Sequence, residues 1–297
     1  MAIRGAVYVN GTIRPAAQAS VPVYDHGFLY GEGVYETIRT YNRVPFQYDR
    51  HMRRLRASAR YINLDVPYTD ETLLGWIDDT VKAAGPLTEA YIRILQTRGV
   101  GELTYDVNST PTPSLVIIVK PLDEQPARIF EQGVRISLVS IMRNHPASVN
   151  PVIKSNNLLN NALAMQEANR KGGEEGLMCN YRGELSECSQ ANFFMVRGGV
   201  VLTPKSHAGL LEGITRAFLF EVGRDIGVEV RDETLYPRDL ENADEAFITS
   251  TTRELSPVTR IDDQAIGTGK PGPITLALLE GYRRLANEIT RRATVKG

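Results

Sequence analysis

Several things are scarce or missing in this chain, and each absence narrows its possible roles. Only two cysteines, Cys179 and Cys188, occur among 297 residues. Two are too few for a disulfide scaffold, and no Cys/His cluster has zinc-ligand spacing, so no metal is expected and a reduced, cytoplasmic setting fits. The formal net charge is −1. That leaves no excess of one sign to hold nucleic acid or an anionic membrane. No uninterrupted apolar run is long enough to span a bilayer. The first residues, Met1 to Val9, run into a strand pattern and not into an apolar signal core. Repeats and low-complexity tracts are also missing. What remains is ordinary globular composition, 42% hydrophobic and 23% charged. A chain of this length can bury a substantial core as one large domain or two moderate ones.

Ala6 to Val9 and Thr12-Ile13 predict a hairpin across Asn10-Gly11, a pair suited to a tight turn. A glycine-studded stretch, Tyr24 to Gly33, precedes a second strand pair, Val34–Tyr41 and Val44–Tyr48. Asp49 is placed to cap a helix from Arg50 to about Ile62, with Met52, Leu55, Ala59 and Ile62 on one face. A helix over 70–84 and strands over 89–97 and 115–119 follow. Pro121 to Pro126 is polar and proline-flanked, a candidate linker. Beyond it the pattern predicts a strand over 134–142, an irregular segment and a helix over 156–170. Strands at 176–180 and 192–196, a helix opening at Gly213, a strand at 246–249 and a helix over 274–289 complete the reading. Strands and helices that do not alternate regularly predict an α+β or mixed α/β fold in two lobes.

Four places carry residues suited to chemistry. Lys154 follows Val152-Ile153 and precedes Ser155-Asn156-Asn157 at a helix start. A lysine that forms a Schiff base needs partial burial and nearby positive charge to keep its amine nucleophilic. Taken alone, such a lysine reads as a solvated residue at a helix entrance. Glu187 lies in a run of small polar residues between short strands. It could face a pyridine nitrogen in a cleft, or stand on the surface. Arg54 belongs to a basic helix with Arg50, Arg53, Arg56 and Arg60, and its planar fork suits a phosphate. Gly213-Ile214-Thr215 opens a helix whose free N–H groups suit the same anion, and Ser250-Thr251-Thr252 offers further donors after a strand. Finally, Tyr91 and Arg93 are two apart on one strand and share a face, where they could hold a carboxylate or simply be exposed.

Together and in this order these segments resemble the class IV, branched-chain-aminotransferase-like enzymes. The resemblance rests on Asp25-His26-Gly27-Phe28-Leu29-Tyr30-Gly31-Glu32-Gly33-Val34-Tyr35-Glu36, His51-Met52-Arg53-Arg54-Leu55, Tyr91-Ile92-Arg93 and Thr97-Arg98-Gly99-Val100-Gly101. It continues through Ile153-Lys154-Ser155, Ser186-Glu187, Gly213-Ile214-Thr215-Arg216 and Phe247 to Glu254. It implies the fold of D-amino-acid-aminotransferase-like enzymes dependent on pyridoxal 5′-phosphate. In that fold a small N-terminal α/β domain (1–121) is joined by a linker (122–130) to a larger C-terminal pseudo-barrel domain (131–297), with the cofactor between them. It makes Lys154 the Schiff-base lysine that also moves the proton between substrate Cα and cofactor C4′, and Glu187 the partner of the pyridine nitrogen. Arg54, Ile214, Thr215 and Thr251 become the phosphate cradle. Tyr30, Tyr35, Arg39, Tyr91, Arg93 and the Thr251-Thr252 backbone line the substrate pocket. The loop Gly99–Leu103 is expected to reach a neighbouring subunit's site, implying a homodimer or larger homo-oligomer.

Within the family, Tyr91-Ile92-Arg93 and Arg98-Gly99-Val100-Gly101 resemble the branched-chain L-amino-acid enzymes. The expected reaction is ping-pong transfer of an amino group from Leu, Ile or Val to 2-oxoglutarate. Two departures, Leu158 where a tyrosine is usual and Thr37 where glycine is usual, resemble the D-amino-acid enzymes and related lyases. A D-amino-acid or (R)-amine transaminase, an aminodeoxychorismate-type lyase and a non-enzymatic cofactor-binding domain are therefore the alternatives.

Overall fold

Asn10 and Gly11, both at positive φ, turn the chain between β1 (Ala6–Val9) and β2 (Thr12–Pro15). The computed structural model describes residues 3–296. The hairpin opens the first of two units, which comprises Met1–Asp123, Ile153–Leu158 and Ile289–Gly297. After it come a one-turn helix α1 (His26–Leu29), β3 (Gly33–Tyr41), β4 (Val44–Pro45), α2 (Tyr48–Tyr61), α3 (Asp70–Ala83), β5 (Ala90–Thr97) and β6 (Ser114–Pro121). The strands form one antiparallel sheet in the order β2-β1-β6-β5-β3-β4.

Alternation along the three central strands divides this sheet into two unlike faces. Val34, Ile38, Ile92, Ile94, Ile117 and Val119 are wholly buried on one face, in a core with Met52, Leu55 and Ala59 of α2 and Leu73 and Ile77 of α3. The opposite face carries Tyr35, Thr37, Arg39, Tyr91, Arg93 and Leu95. Apart from the buried Arg39, these side chains are half-buried. The helix α2 has the amphipathic face read from its sequence, but Asp49 does not cap it. Gln47, in a left-handed conformation, takes the N-cap position, and Asp49 lies in the first turn, where its charge still favours the helix. Residues 46–48, expected to extend a strand, instead lead into this helix.

The second unit comprises Glu124–Val152 and Leu159–Glu288. A short helix α4 (Ala127–Gln132) leads to β7 (Val134–Leu138), α5 (Leu159–Arg170), β8 (Gly176–Cys179), β9 (Leu185–Cys188) and β10 (Asn192–Arg197). Then come β11 (Val200–Pro204), α6 (Ile214–Ile226), β12 (Val230–Glu233), β13 (Glu245–Ser250), β14 (Glu254–Ile261), β15 (Gln264–Ala265) and α7 (Pro273–Lys296). The main strand order is β12-β11-β10-β13-β14-β7-β8-β9. A further pairing of β9 with β10, through Glu187 opposite Asn192, closes six of these strands into a ring. The interior is apolar, built from residues such as Ile136, Leu177, Leu185, Phe193, Met195, Ile248 and Val258. Closure of a sheet removes its edges and gives a barrel-like body.

Two expectations shift here. The strand predicted over 134–142 ends at Leu138, and the helix predicted from 156 begins at Leu159. The second shift has a structural cause. Residues 153–156 pair alongside β3, and a backbone committed to a strand partner cannot also coil into a helix.

Candidate functional site

Lys154 owes its position to that pairing. Ser155 bridges Val34, the Tyr35 N–H donates to the Lys154 carbonyl, and the Asn156 N–H donates to the Gly33 carbonyl. The Lys154 N–H in turn donates to the Ser58 hydroxyl on α2 at 3.1 Å. Gly33 permits the approach: a Cβ there would lie 2.6 Å from Asn156 Nδ2 and 2.7 Å from the Gln96 carbonyl. The register sets Ser155 against the buried residue Val34 and Lys154 against Tyr35. The lysine side chain therefore emerges on the half-buried sheet face, with Nζ 4.4 Å from the centre of the Tyr35 ring.

Arg93 meets the same ring, its guanidinium carbon 4.1 Å from the centre. Among the described residues neither Lys154 Nζ nor Arg93 has a carboxylate partner. Two cations thus share one aromatic ring, which attracts them through its quadrupole but leaves them available to an anionic ligand. Thr37 lies directly opposite Arg93, and Arg39 opposite Tyr91. Arg39 itself covers the Tyr41 ring at 4.1 Å. The structure brings Tyr35, Arg39, Tyr91, Arg93 and Lys154 to one face of one sheet. Tyr30 is not on this face. It follows α1, edge-on to His26 and 5.0 Å from the Tyr105 ring.

Arg54 is held from the other side of β3. Its Nε and Nη2 donate to the two oxygens of Glu36 at 2.7 and 2.8 Å, and His51 Nδ1 lies 2.7 Å from Oε2. Glu36 is fully buried. Burial alone would raise its pKa, but the charge and hydrogen bonds of Arg54, helped by His51, bring it down to about 2. Burial pushes the His51 pKa below its usual value; Glu36 opposes that, while the charges of Arg54 and Lys154 add to it. The His51 Nδ1 contact therefore adds to the hold of Arg54 on the same carboxylate. Neither Glu36 nor His51 was singled out from the sequence as a site residue. The signal was present in the spacing: His51 and Arg54 are three apart on one helix and so reach the same acceptor.

In the second unit, Glu187 occupies the strand pair that closes the ring. Arg143 Nε donates to Oε1 at 2.9 Å, while Asn192 Nδ2 and the Leu211 N–H each donate to Oε2 at 3.1 Å. Both charged side chains are less than a tenth exposed. Arg143 also donates to Asn160 on α5. Asn192 and Arg143 escaped the sequence reading because their partners are chosen by ring closure and leave no local pattern.

The N-terminus of α6 packs against the same spot. Gly213 is its N-cap, no side chain caps it, and a Cβ at Gly213 would meet Asn192 Oδ1 at 2.1 Å. The first N–H groups of the helix, those of Ile214 and Thr215, therefore have no intrahelical or side-chain cap, the arrangement that binds anions. Asn192 pairs with Thr249, and Ser250, Thr251 and Thr252 follow at the same end of the strands. Glu187, the α6 terminus and the 250–252 turn thus stand together on this unit. Among the described residues no group of three or more His, Cys, Asp or Glu could hold a metal ion. No helix among them is long and apolar enough to cross a membrane.

Known proteins share this architecture. A putative branched-chain-amino-acid aminotransferase of Methanocaldococcus jannaschii is 38% identical over 277 residues, covering 93% of this chain and 95% of its own. A D-alanine aminotransferase of Listeria innocua is 35% identical over 288 residues, 96% of each chain. The crystal structure of the T.th. branched-chain amino acid aminotransferase with pyridoxamine 5′-phosphate matches at a TM-score of 0.89 and 31% identity, covering 96% of this chain and 95% of that one. The model of the family described as amino-transferase class IV matches residues 33–261, from the first residue of β3 to the last of β14. This chain therefore belongs to the class IV aminotransferases.

Proposed function

We propose that the protein transfers the amino group of branched-chain L-amino acids to 2-oxoglutarate by a ping-pong mechanism, with pyridoxal 5′-phosphate as cofactor. The observation that carries this reading is the Lys154 amine on the half-buried sheet face, sharing the Tyr35 ring with Arg93, which has no carboxylate partner among the described residues. The residues fit the cofactor: a lysine with no anionic partner among the described residues, a buried carboxylate with its own guanidinium, and, next to that carboxylate, a helix terminus with no side-chain cap. Lys154 would link to the aldehyde, Glu187 would pair with the pyridine nitrogen, and Arg54, Ile214, Thr215 and Thr251 would hold the phosphate. When bound, the cofactor supplies an electron sink for the pair left on the substrate Cα. Lys154 Nζ takes up the Cα proton, and Tyr35 and Tyr91 line the pocket for an apolar side chain. Arg39, Arg93 and the Thr251-Thr252 backbone hold carboxylates, and Tyr30, which lies off this sheet face against His26 and Tyr105, is the remaining substrate residue of the proposal.

Arg93 gives a direct test of the acceptor. Arg93→Leu should raise KM for 2-oxoglutarate about tenfold or more while changing KM for a monocarboxylic branched oxo acid by less than about threefold, as expected when a charged hydrogen bond to one substrate is removed. Equal losses with both oxo acids would remove Arg93 from side-chain carboxylate binding.

A second reading, transamination of D-amino acids, has two observations in its favour. Thr37, where the branched-chain enzymes usually carry glycine, lies directly opposite Arg93 across β3 and β5, and the Listeria innocua relative is named for D-alanine. The visible absorbance of the holoenzyme separates the two. L-Leucine, and not D-alanine, should bleach the band of the lysine-linked cofactor; bleaching by D-alanine alone would reverse the assignment. A cytoplasmic homodimer or larger homo-oligomer is part of the proposal. The loop after β5 supports association, because Leu103 and Tyr105 are apolar and 66% and 85% exposed.

A further inference from the structure

One buried acid of the second unit has no part in the chemistry above. Glu175, just before β8, is wholly inaccessible. One of its oxygens accepts the Ser189 hydroxyl and the Gln190 N–H, the residues that follow Glu187 and Cys188. The other lies 2.7 Å from Arg253 Nη1, a close charge pair. Arg253 immediately follows Thr251-Thr252 in the turn between β13 and β14. Ser189 is fastened a second time, its hydroxyl accepting the Gly176 N–H at 3.0 Å.

We propose that Glu175 and Arg253 are positioning residues: one buried carboxylate ties the Thr251-Thr252 turn to the turn after Glu187, holding the phosphate end and the ring end of the cofactor site in register. The inference rests on the cofactor site proposed above. Its physical basis is the cost of an uncompensated buried charge. Ser189 and Gln190 supply neutral hydrogen bonds, whereas Arg253 supplies the positive charge. Burial already raises the Glu175 pKa, and Arg253 is the largest influence opposing the rise. Without Arg253 the carboxyl would favour its neutral form, and the 250–253 turn would lose its anchor. Arg253 gains no other partner from the arrangement among the described residues, so its charge is committed to this link.

The test compares dissociation constants of pyridoxal 5′-phosphate and of pyridoxal, which lacks the phosphate, by equilibrium dialysis of the full-length protein. The variants are Arg253→Gln, Arg253→Lys, Glu175→Gln and the Arg253→Gln/Glu175→Gln double variant. Arg253 is partly exposed, so its replacement leaves a soluble readout even if Glu175→Gln folds poorly. Each Gln variant should weaken pyridoxal 5′-phosphate binding about tenfold or more and pyridoxal binding by less than about threefold, with the double variant little worse than either single, as for coupled residues in one link. Arg253→Lys should retain most of the affinity. Unchanged affinity, equal losses with and without the phosphate, or fully additive losses would each overturn the proposal. A parallel Lys154→Ala sample separates the two levels of inference. If its visible cofactor band disappears while Arg253→Gln binds normally, only the positioning link fails. If the band persists, the site assignment fails and the link with it.

Discussion

Lys154→Ala should lower turnover by at least about a thousandfold, because it removes both the covalent attachment and the group that takes the Cα proton, and a positioned acid–base group alone contributes about 10²–10⁴-fold. The visible band of the lysine-linked cofactor should vanish in the same variant. The size of the effect follows from geometry. Lys154 lies opposite Tyr35 in a short strand pairing, with its backbone N–H fixed on Ser58 and its amine against the Tyr35 ring. Among the described residues, no other lysine on this sheet face has its amine against Tyr35; Lys120 reaches the Tyr91 ring and is paired with Asp123. Steady-state rates and an absorption spectrum check both parts. Full turnover together with a retained covalent adduct would refute the role of Lys154.

Glu36→Ala should destabilise the protein by about 3–5 kcal/mol, the loss typical of breaking a buried charge pair and stranding one partner. Arg54 would lose both hydrogen bonds to its anchor, and the His51 imidazole its hydrogen-bond partner. The same carboxylate predicts an acid limit to stability. Its folded pKa of about 2 lies below the ordinary glutamate value of 4.5. A depressed carboxylate pKa contributes stability that is complete above the unfolded value and is lost as pH falls towards the folded value. The loss therefore falls between about pH 4.5 and pH 2. It is on the order of 3 kcal/mol, because a pKa lowered by one is worth about 1.4 kcal/mol. Urea unfolding of the wild type and Glu36→Ala across this range tests both claims. A destabilisation under about 1 kcal/mol, or an acid slope unchanged by the substitution, would show that Glu36 does not bear this load.

Local patterns in the chain predicted local structure well. The hairpin at Asn10-Gly11, the apolar stripe Met52-Leu55-Ala59 and the shared face of Tyr91 and Arg93 are all present, because turn chemistry and periodicity act over a few residues. Strands β9, β11, β12 and β14 were not legible. In β9, Leu185-Ser186-Glu187-Cys188 shows no alternation because all four residues are buried, so both faces of the strand are covered. The polar members are satisfied there: Ser186 by the Gly209 carbonyl and Glu187 by Arg143, Asn192 and Leu211. Such burial depends on partners that no window around β9 contains.

The order of residues alone set which chemistry was available and which local elements could carry it: a lysine, a glutamate, an arginine and a glycine-led helix start, in a sequence that places the chain in its family. How those groups meet was settled by pairing between distant segments. Residues 153–156, laid beside β3, put Lys154 on the face of Tyr35 and Arg93 and delayed the predicted helix to Leu159. Closure of β9 on β10 gave Glu187 its partners, and the buried Glu175 joined two turns that are far apart along the chain. The reason is physical. Periodicity and turn preference are properties of neighbouring residues, whereas strand register and the compensation of buried charge depend on hydrogen bonds and burial that only the folded chain creates.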